Sequence, residues 1–383
     1  MTAGEFSPAI SAASSAPVKS GPGPWALGIS LTLMLLVMYT QRDRLLTGRN
    51  DFVQLWVGAN LVGTPALYDM AANDALEIKT IGVRLEGVSH SRPPFYAFLL
   101  KPLGRLPYLA SYVLFQTLGL ACLGVFLWFN LKRLPDVALF SCISLPLVAN
   151  FLNGQDLALV LAFLTISLAL FRSKHDVAGG LVLALCAIKF HLFLPLPLVF
   201  LVHRRWRALA GSALGALILG ALSFLAQGRD WISTYYTTVL RNSAMNPGVD
   251  LMPNLHGALF DLGIQSATLE LGLAVVILGM VAYLAWRETD LELGLAYALI
   301  GGLLVSYHAY IQDSVVLLPA VVAIMLKASG KLVRHLMTIA MLPPVYLLIL
   351  AGKPFSLALP ILLIVILAAA SSRSVVQQQR ELA

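Results

Sequence analysis

The sequence predicts an all-α polytopic membrane protein with about ten to twelve transmembrane helices. Hydrophobic residues make up 58% of its 383 residues, charged residues make up 12%, and the mean hydropathy is +0.82. These values lie far outside the range of soluble globular domains. Because short linkers separate most of the apolar stretches, we expect one transmembrane domain over residues 23–370 and no separate soluble domain.

Two short tails flank the predicted domain. Residues 1–22 are rich in Ala, Ser, Gly and Pro and contain no aliphatic run, which is typical of a disordered segment. The next apolar run ends in "QRDR" without a small-residue cleavage site, which predicts a retained first helix and not a removed signal peptide. We expect residues 1–22 and 371–383 to be cytoplasmic tails.

The linkers between the predicted spans orient the chain. The spans are residues 23–41, 107–130, 137–152, 156–171, 177–202, 208–226, 268–286, 292–306, 314–327, 335–350 and 355–370. Clustered cations occur in the linkers "LKRLP", "HRRWR" and "KASGKLVRH", and such linkers are enriched on the cytoplasmic side. This arrangement leaves two long outer loops, 41–106 and 227–267. The first contains "DFVQLWVGANLVG" and "FYAFLLKPLGRLP", two amphipathic pieces that we expect to be interfacial helices.

Residues 177–202 are predicted to enter the membrane and return. The basic sequences "FRSKH" and "HRRWR" flank this segment and should lie on the same side. Its 26 residues give each arm about 20 Å, less than the roughly 30 Å hydrocarbon core. The turn, "AIKFHLFLPLP", should therefore lie inside the membrane. One long span is the alternative, but it would place the two basic sequences on opposite sides.

Several functions are disfavoured by the composition. Lys and Arg punctuate apolar segments, so the net charge of +7 indicates topology and lipid contacts, and we expect no nucleic-acid partner. Cys122, Cys142 and Cys186 lie in apolar runs without metal-binding spacing. The sequence has no HExxH, P-loop, GxGxxG or acidic DxD pair, so we expect neither a metal site nor a cofactor.

Asp51 is of interest because its carboxylate opens a helix at the edge of the first span, where a free side chain could accept a proton. The competing interpretation is a helix N-cap, which "DFVQ" also fits.

Four residues are candidates for binding a phosphate. Lys189 and His191 lie deep in an apolar segment, where ionisable groups are usually partnered and functional. Arg92 precedes two prolines, and His308 lies between two tyrosines, one of which, Tyr307, is a candidate sugar platform. The alternatives are lipid headgroup contacts for Arg92 and snorkelling for Lys189.

The remaining candidates would contact a polar substrate or a sugar. Asn153 and Gln155 belong to "NGQD", where a tight turn between two spans is an equally simple explanation. Asn254 and His256 belong to "MPNLHGALF", where a helix cap before an apolar run is the alternative to a substrate contact.

These residues occur within a recognisable order of motifs. "RNDFVQLWVGANLV", "RPPFYAFLLKPLGRLPY", "NGQ", "AIKFHLFLPLPLVFLVHRRWRAL" and "NLHG" follow one another as in glycosyltransferase family 87, and the likeness covers about residues 45–260. Within this pattern Arg92 stands where an aromatic residue often precedes the two prolines. The chain resembles the polyprenyl-phosphate-mannose-dependent mannosyltransferases that extend phosphatidylinositol mannosides.

The resemblance implies the GT-C fold, with the active site at the outer leaflet and Asp51 as the catalytic base. It implies an inverting transfer of a sugar, mannose in the first instance, from a polyprenyl-phosphate donor to a lipid or glycan acceptor. The expected location is a bacterial inner membrane, with membrane lipids as neighbours and the site facing the periplasm or the exterior.

Two other classes compete with the enzyme. One is a transporter, in which Lys189, His191 and Asp313 would form an intramembrane relay. The other is a non-catalytic scaffold, which has no need for the intramembrane Lys189 and His191 pair.

Overall fold

The computed structural model describes residues 24–85, 89–242 and 247–382, without the side chains of 24–26 and 373–382, and all regular secondary structure among these residues is helical. This confirms the all-α prediction, whereas the predicted disordered tail, 1–22, lies outside the described residues. The α-helices are Pro24–Thr40, Arg42–Thr47, Phe52–Leu61, Met70–Ile81, Pro94–Leu99, Lys101–Gly104, Tyr108–Asn130, Pro135–Cys142, Leu145–Leu152, Leu157–Arg172, Asp176–Ala184, Leu196–Val202, Trp206–Gln227, Trp231–Tyr235, Leu255–Asp261, Ala267–Arg287, Leu291–Val305, Leu317–Lys327, Lys331–Ala340, Pro343–Leu350 and Ala358–Leu382. Short 3₁₀ or π segments are Pro65–Tyr68, Leu185–Phe193, Tyr236–Leu240, Val249–Leu251, Ile311–Val316 and Phe355–Leu357.

Six helices among the described residues are long and apolar enough to cross a membrane: Tyr108–Asn130, Pro135–Leu152, Asp176–Phe193, Trp206–Gln227, Ala267–Arg287 and Phe355–Ser372. A seventh span is possible if Lys331–Ala340 and Pro343–Leu350, which are bent by 51°, cross together. Three further apolar helices are shorter: Leu27–Thr40, Leu157–Arg172 and Leu291–Val305. The sequence prediction of ten to twelve spans also includes these shorter apolar stretches.

Two of the short helices form the centre of the molecule. Nearly every residue of Leu291–Val305 is buried, and Leu157–Arg172 is buried along most of its length. A helix that is apolar on all sides is expected inside a protein or a membrane. These two helices therefore form the interior of the bundle, and their ends fix the positions of the loops described below.

The chain turns back within residues 177–202, as predicted. Helices Asp176–Ala184 and Trp206–Gln227 pack side by side and run in the same direction, because Gly211 lies against Val177 and Gly215 lies against Ala184. Both helices therefore start at the same end of the bundle. The Arg205 Nη2 atom lies 2.5 Å from a carboxylate oxygen of Asp176, which joins the two starts directly.

The basic linkers also gather at one end, as the charge pattern predicts. The carboxylate of Glu292 pairs with Arg133 at 3.0 Å, with Arg172 at 2.8 Å and with Lys327 at 2.8 Å. These cations come from three linkers that are far apart in sequence. We call this group the Glu292 cluster.

Both amphipathic pieces of the first loop are helical. Seven of the ten residues of Phe52–Leu61 are buried, so this helix is embedded in the protein and is not a detached surface helix. The Phe52 ring packs against Tyr108, Tyr112 and Phe115 of the next long helix. This packing fixes the start of the helix, where Asp51 lies.

Candidate active site

The candidate residues meet at the end of the bundle opposite the Glu292 cluster. Helix Leu157–Arg172 has Arg172 in that cluster and is preceded, at its other end, by Asp156. Helix Leu291–Val305 likewise has Glu292 in its first turn and is followed by Ser306. The first loop, the "NGQD" turn, the turn of the hairpin and residues 306–313 converge there.

Asp51 occupies the N-cap position of helix Phe52–Leu61, but its side chain makes no capping hydrogen bond. The capping interpretation is therefore wrong for this side chain. The backbone N–H of Phe52 donates instead to Asn50 Oδ1 at 3.2 Å. The Asp51 carboxylate accepts a hydrogen bond from Gln155 Nε2 at 2.8 Å. Burial raises the pKa of Asp51, against the opposing effects of the Gln155 hydrogen bond and of Arg44.

The "NGQD" turn brings Gln155 to Asp51. Gly154 has a φ of +61°, and a Cβ atom there would lie 2.5 Å from Asn50 Oδ1 and 2.8 Å from Phe52 Cβ. Only glycine allows both this backbone conformation and this close approach. Asn50 is fully buried and also donates to Leu152 O at 3.0 Å. The first outer loop is therefore joined to the "NGQD" turn both before the turn, at Leu152, and within it, at Gln155.

Two buried ion pairs lie close to Asp51 and Gln155. Arg92 Nε donates to Asp156 at 2.8 Å, and Lys189 Nζ lies 2.5 Å from Asp313 and 4.0 Å from Asp156. All four side chains are almost completely buried. The partner proposed for Lys189 from its sequence position was a phosphate, whereas the structure gives it a carboxylate. Asp313 also accepts from the backbone N–H of Tyr310 at 2.7 Å.

Two histidines lie beside these pairs. His191 Nδ1 lies 2.8 Å from Ser306 Oγ, and its ring contacts those of Tyr307 and His308 at centroid distances of 5.3 Å and 5.9 Å. Burial lowers the pKa of His308 to about 4, although Asp313 acts in the opposite direction. His308 is therefore neutral at pH 7 and is suited to hydrogen bonding, not to acting as a fixed cation.

Two cavities meet at Arg92 and His308. A cavity of about 650 Å³ is lined by Asp51, Gln155 and Lys189. A second cavity of about 400 Å³ is lined by His191, Tyr307 and His256. Ser91, Arg92 and His308 line both cavities.

The other sequence candidates have different surroundings. Asn153 lines the larger cavity and lies 3.5 Å from Gln312 Oε1. His256 lines the smaller one and lies 3.1 Å from Glu270. Asn254, in contrast, is fully buried and lines neither cavity. Its amide caps helix Leu255–Asp261 through Gly257 N and donates to Ser306 O at 2.8 Å, so it acts as a structural residue.

The polar residues that line these cavities without having been singled out by the sequence analysis include Arg44, Arg241 and Gln312. Arg44 belongs to "QRDR", which we used only to end the first span. Arg241 lies in a polar part of the second loop, where nothing in the sequence distinguishes it from other surface cations.

Comparison with known protein families identifies the family of this chain. The model of glycosyltransferase family 87 matches residues 92–307, which is more than half of the chain. The match includes Arg92, Gln155 and Lys189, whereas Asp51 lies 41 residues before it and His308 directly follows it. No curated protein and no solved structure matches the chain. The chain belongs to glycosyltransferase family 87, and it is accordingly a membrane glycosyltransferase.

Proposed function

We propose that the protein transfers a sugar, with mannose as the first candidate, from a polyprenyl-phosphate donor to a lipid or glycan acceptor, with inversion. Asp51 is the general base for the acceptor hydroxyl. The observation that carries this proposal is the position of Asp51, a half-buried carboxylate held by Gln155 at the wall of the larger cavity.

The environment of Asp51 suits a general base. A carboxylate whose pKa is raised by burial is a stronger proton acceptor than one in water. One of its oxygens is engaged by Gln155, and no partner for the other oxygen occurs among the described residues. That oxygen is available to a hydroxyl group in the cavity.

The larger cavity suits a substrate that is part lipid. Val37, Leu145 and Leu350, from three separate helices, give it an apolar side. Arg44 and Asp51 line its polar side. A ligand with a hydrocarbon chain and a charged or sugar headgroup would match both sides.

The two cavities support an assignment of the two substrates. In an inverting reaction the nucleophile and the leaving group lie on opposite faces of the sugar ring. Asp51 lines only the larger cavity, so the acceptor belongs there, and the donor phosphate belongs toward the smaller cavity. The sugar would then lie at the junction, beside Arg92 and His308.

The proposed step is a single displacement. The acceptor oxygen forms a bond to the anomeric carbon as Asp51 takes its proton, and the bond from that carbon to the phosphate oxygen breaks. The leaving polyprenyl phosphate gains one negative charge. Arg92 and the uncharged His308 ring, which line both cavities, are the donors proposed for that charge.

The test is transfer by the purified protein in lipid nanodiscs. Radiolabelled polyprenyl-phosphate mannose and a total lipid extract should yield a labelled glycolipid. Asp51→Asn should lower the rate by about 10²–10⁴-fold while donor binding persists, because loss of a general base has an effect of that size. The matched control is Asp69→Asn in the same loop, where Asp69 does cap a helix through Ala72 N; this variant should stay active.

Near-normal turnover by Asp51→Asn would refute the general-base assignment. Dissipation of a gradient by vesicles containing the protein, without any sugar transfer, would instead favour a transporter.

A further inference from the structure

Gln155 lies between a cation and the proposed base, and its amide makes a different contact at each end. Its Oε1 atom accepts from Arg92 Nη2 at 2.9 Å, and its Nε2 atom donates to Asp51 Oδ2 at 2.8 Å. A guanidinium group has only donors, so the amide oxygen must face Arg92. The amide NH₂ group must consequently face Asp51.

Arg92 and the backbone of Asn150 hold Gln155 in place. Arg92 is held by two hydrogen bonds to Asp156, from Nε at 2.8 Å and from Nη2 at 3.3 Å, and Asp156 is fully buried. The backbone N–H of Gln155 donates to Asn150 O at 2.9 Å. Rotation of the Gln155 side chain would remove hydrogen bonds from both Arg92 and Asp51, which is costly for buried charged groups.

We infer that Gln155 is a positioning residue, which holds Asp51 Oδ2 through an amide oriented by Arg92 and leaves Oδ1 directed to the acceptor hydroxyl. This inference rests on the proposed function. It replaces the role of substrate contact that the sequence indicated for Gln155. It also explains the residue type, because leucine has no donor, asparagine is one methylene shorter, and glutamate would place a second carboxylate beside Asp51.

The hydrogen bond has a second effect on Asp51. Burial raises the pKa of this carboxyl, and the Gln155 hydrogen bond is the largest of the opposing effects. Loss of the amide should therefore raise the pKa further. Glutamate at position 155 should raise it as well, because a like charge disfavours ionisation of Asp51.

The experiment is an infrared titration of the protonated Asp51 carboxyl band, identified as the band that is missing in Asp51→Asn. Gln155→Leu and Gln155→Glu should each shift its midpoint upward by about one pH unit or more. The acidic limb of the kcat/KM profile should shift with it, and the donor KM should change little. The control is Gln116→Leu, which removes two part-buried hydrogen bonds, one to Tyr112 Oη and one to Phe151 O. Its midpoint should equal that of the wild type.

An unchanged midpoint in Gln155→Leu would overturn the inference, and so would a loss confined to KM, which would make Gln155 a substrate contact. The titration also separates the two proposals. If the midpoint shifts but Asp51→Asn remains active, Gln155 controls Asp51 and the general-base role is wrong.

Discussion

At the scale of single residues, the buried charges beside the proposed base form two ion pairs. Lys189 and Asp313 are 2.5 Å apart, and Arg92 and Asp156 are 2.8 Å apart. Breaking such a pair leaves one buried charge uncompensated, which typically costs about 3–5 kcal/mol. The role of Lys189 therefore cannot be tested with a single substitution.

The prediction for Lys189 uses a pair of variants. Lys189→Met alone should lower the unfolding temperature strongly, because Asp313 remains buried without its partner. Lys189→Met combined with Asp313→Asn restores neutrality and should recover most of that stability. Thermal unfolding in detergent micelles checks both expectations.

The same double variant separates structure from donor binding. If Lys189 also attracts the donor phosphate, the stable double variant should still bind the donor more weakly than the wild type in a titration. Equal affinity would mean that Lys189 only balances Asp313.

At the scale of elements, the "NGQD" turn connects the fold to the chemistry. Gly154→Ala should destabilise the protein by more than the roughly 1 kcal/mol that a positive φ costs a non-glycine residue, because the added Cβ would also collide with Asn50 and Phe52. Displacement of the turn should move Gln155 from Asp51 and lower the transfer rate by at least about tenfold.

The control for this turn is Gly82→Ala. Gly82 has a φ of +77° and ends a helix in the same loop, but nothing lies within 4 Å of its added Cβ. Gly82→Ala should lose only the stability that a positive φ costs a non-glycine residue. Its folded fraction should transfer sugar at the normal rate. Equal losses of stability in the two variants would show that the close approach at Gly154 has no consequence.

At the scale of the whole molecule, the charges divide the bundle into two ends. The Glu292 cluster joins cations from three basic linkers, and the proposed active site lies at the other end. Basic linkers favour the cytoplasm, so the proposed site should face the outside of the cell.

Cysteine labelling tests this orientation in a background without Cys122, Cys142 and Cys186. Ala75 and Ser173 are exposed at the site end and at the basic end, respectively, and small enough to replace. An impermeant thiol reagent should label Ala75→Cys in intact cells and should label Ser173→Cys only after permeabilisation. The reverse result would place the proposed site on the cytoplasmic side.

The sequence by itself determined the membrane class, the helical fold, the shared end of the basic linkers and the return of residues 177–202. These follow from composition, hydropathy and charge, which are local properties of the chain. It also indicated Asp51, Arg92 and Lys189 as residues of interest, since polar groups in apolar surroundings are unusual.

Only the tertiary structure decided the partners of those residues. Gln155 is 104 residues from Asp51, and Asp313 is 124 residues from Lys189, so no local pattern joins them. The structure also reassigned Asn254 to capping and removed the capping role from Asp51. Burial and pairing depend on which helices pack together, and that is a property of the folded chain.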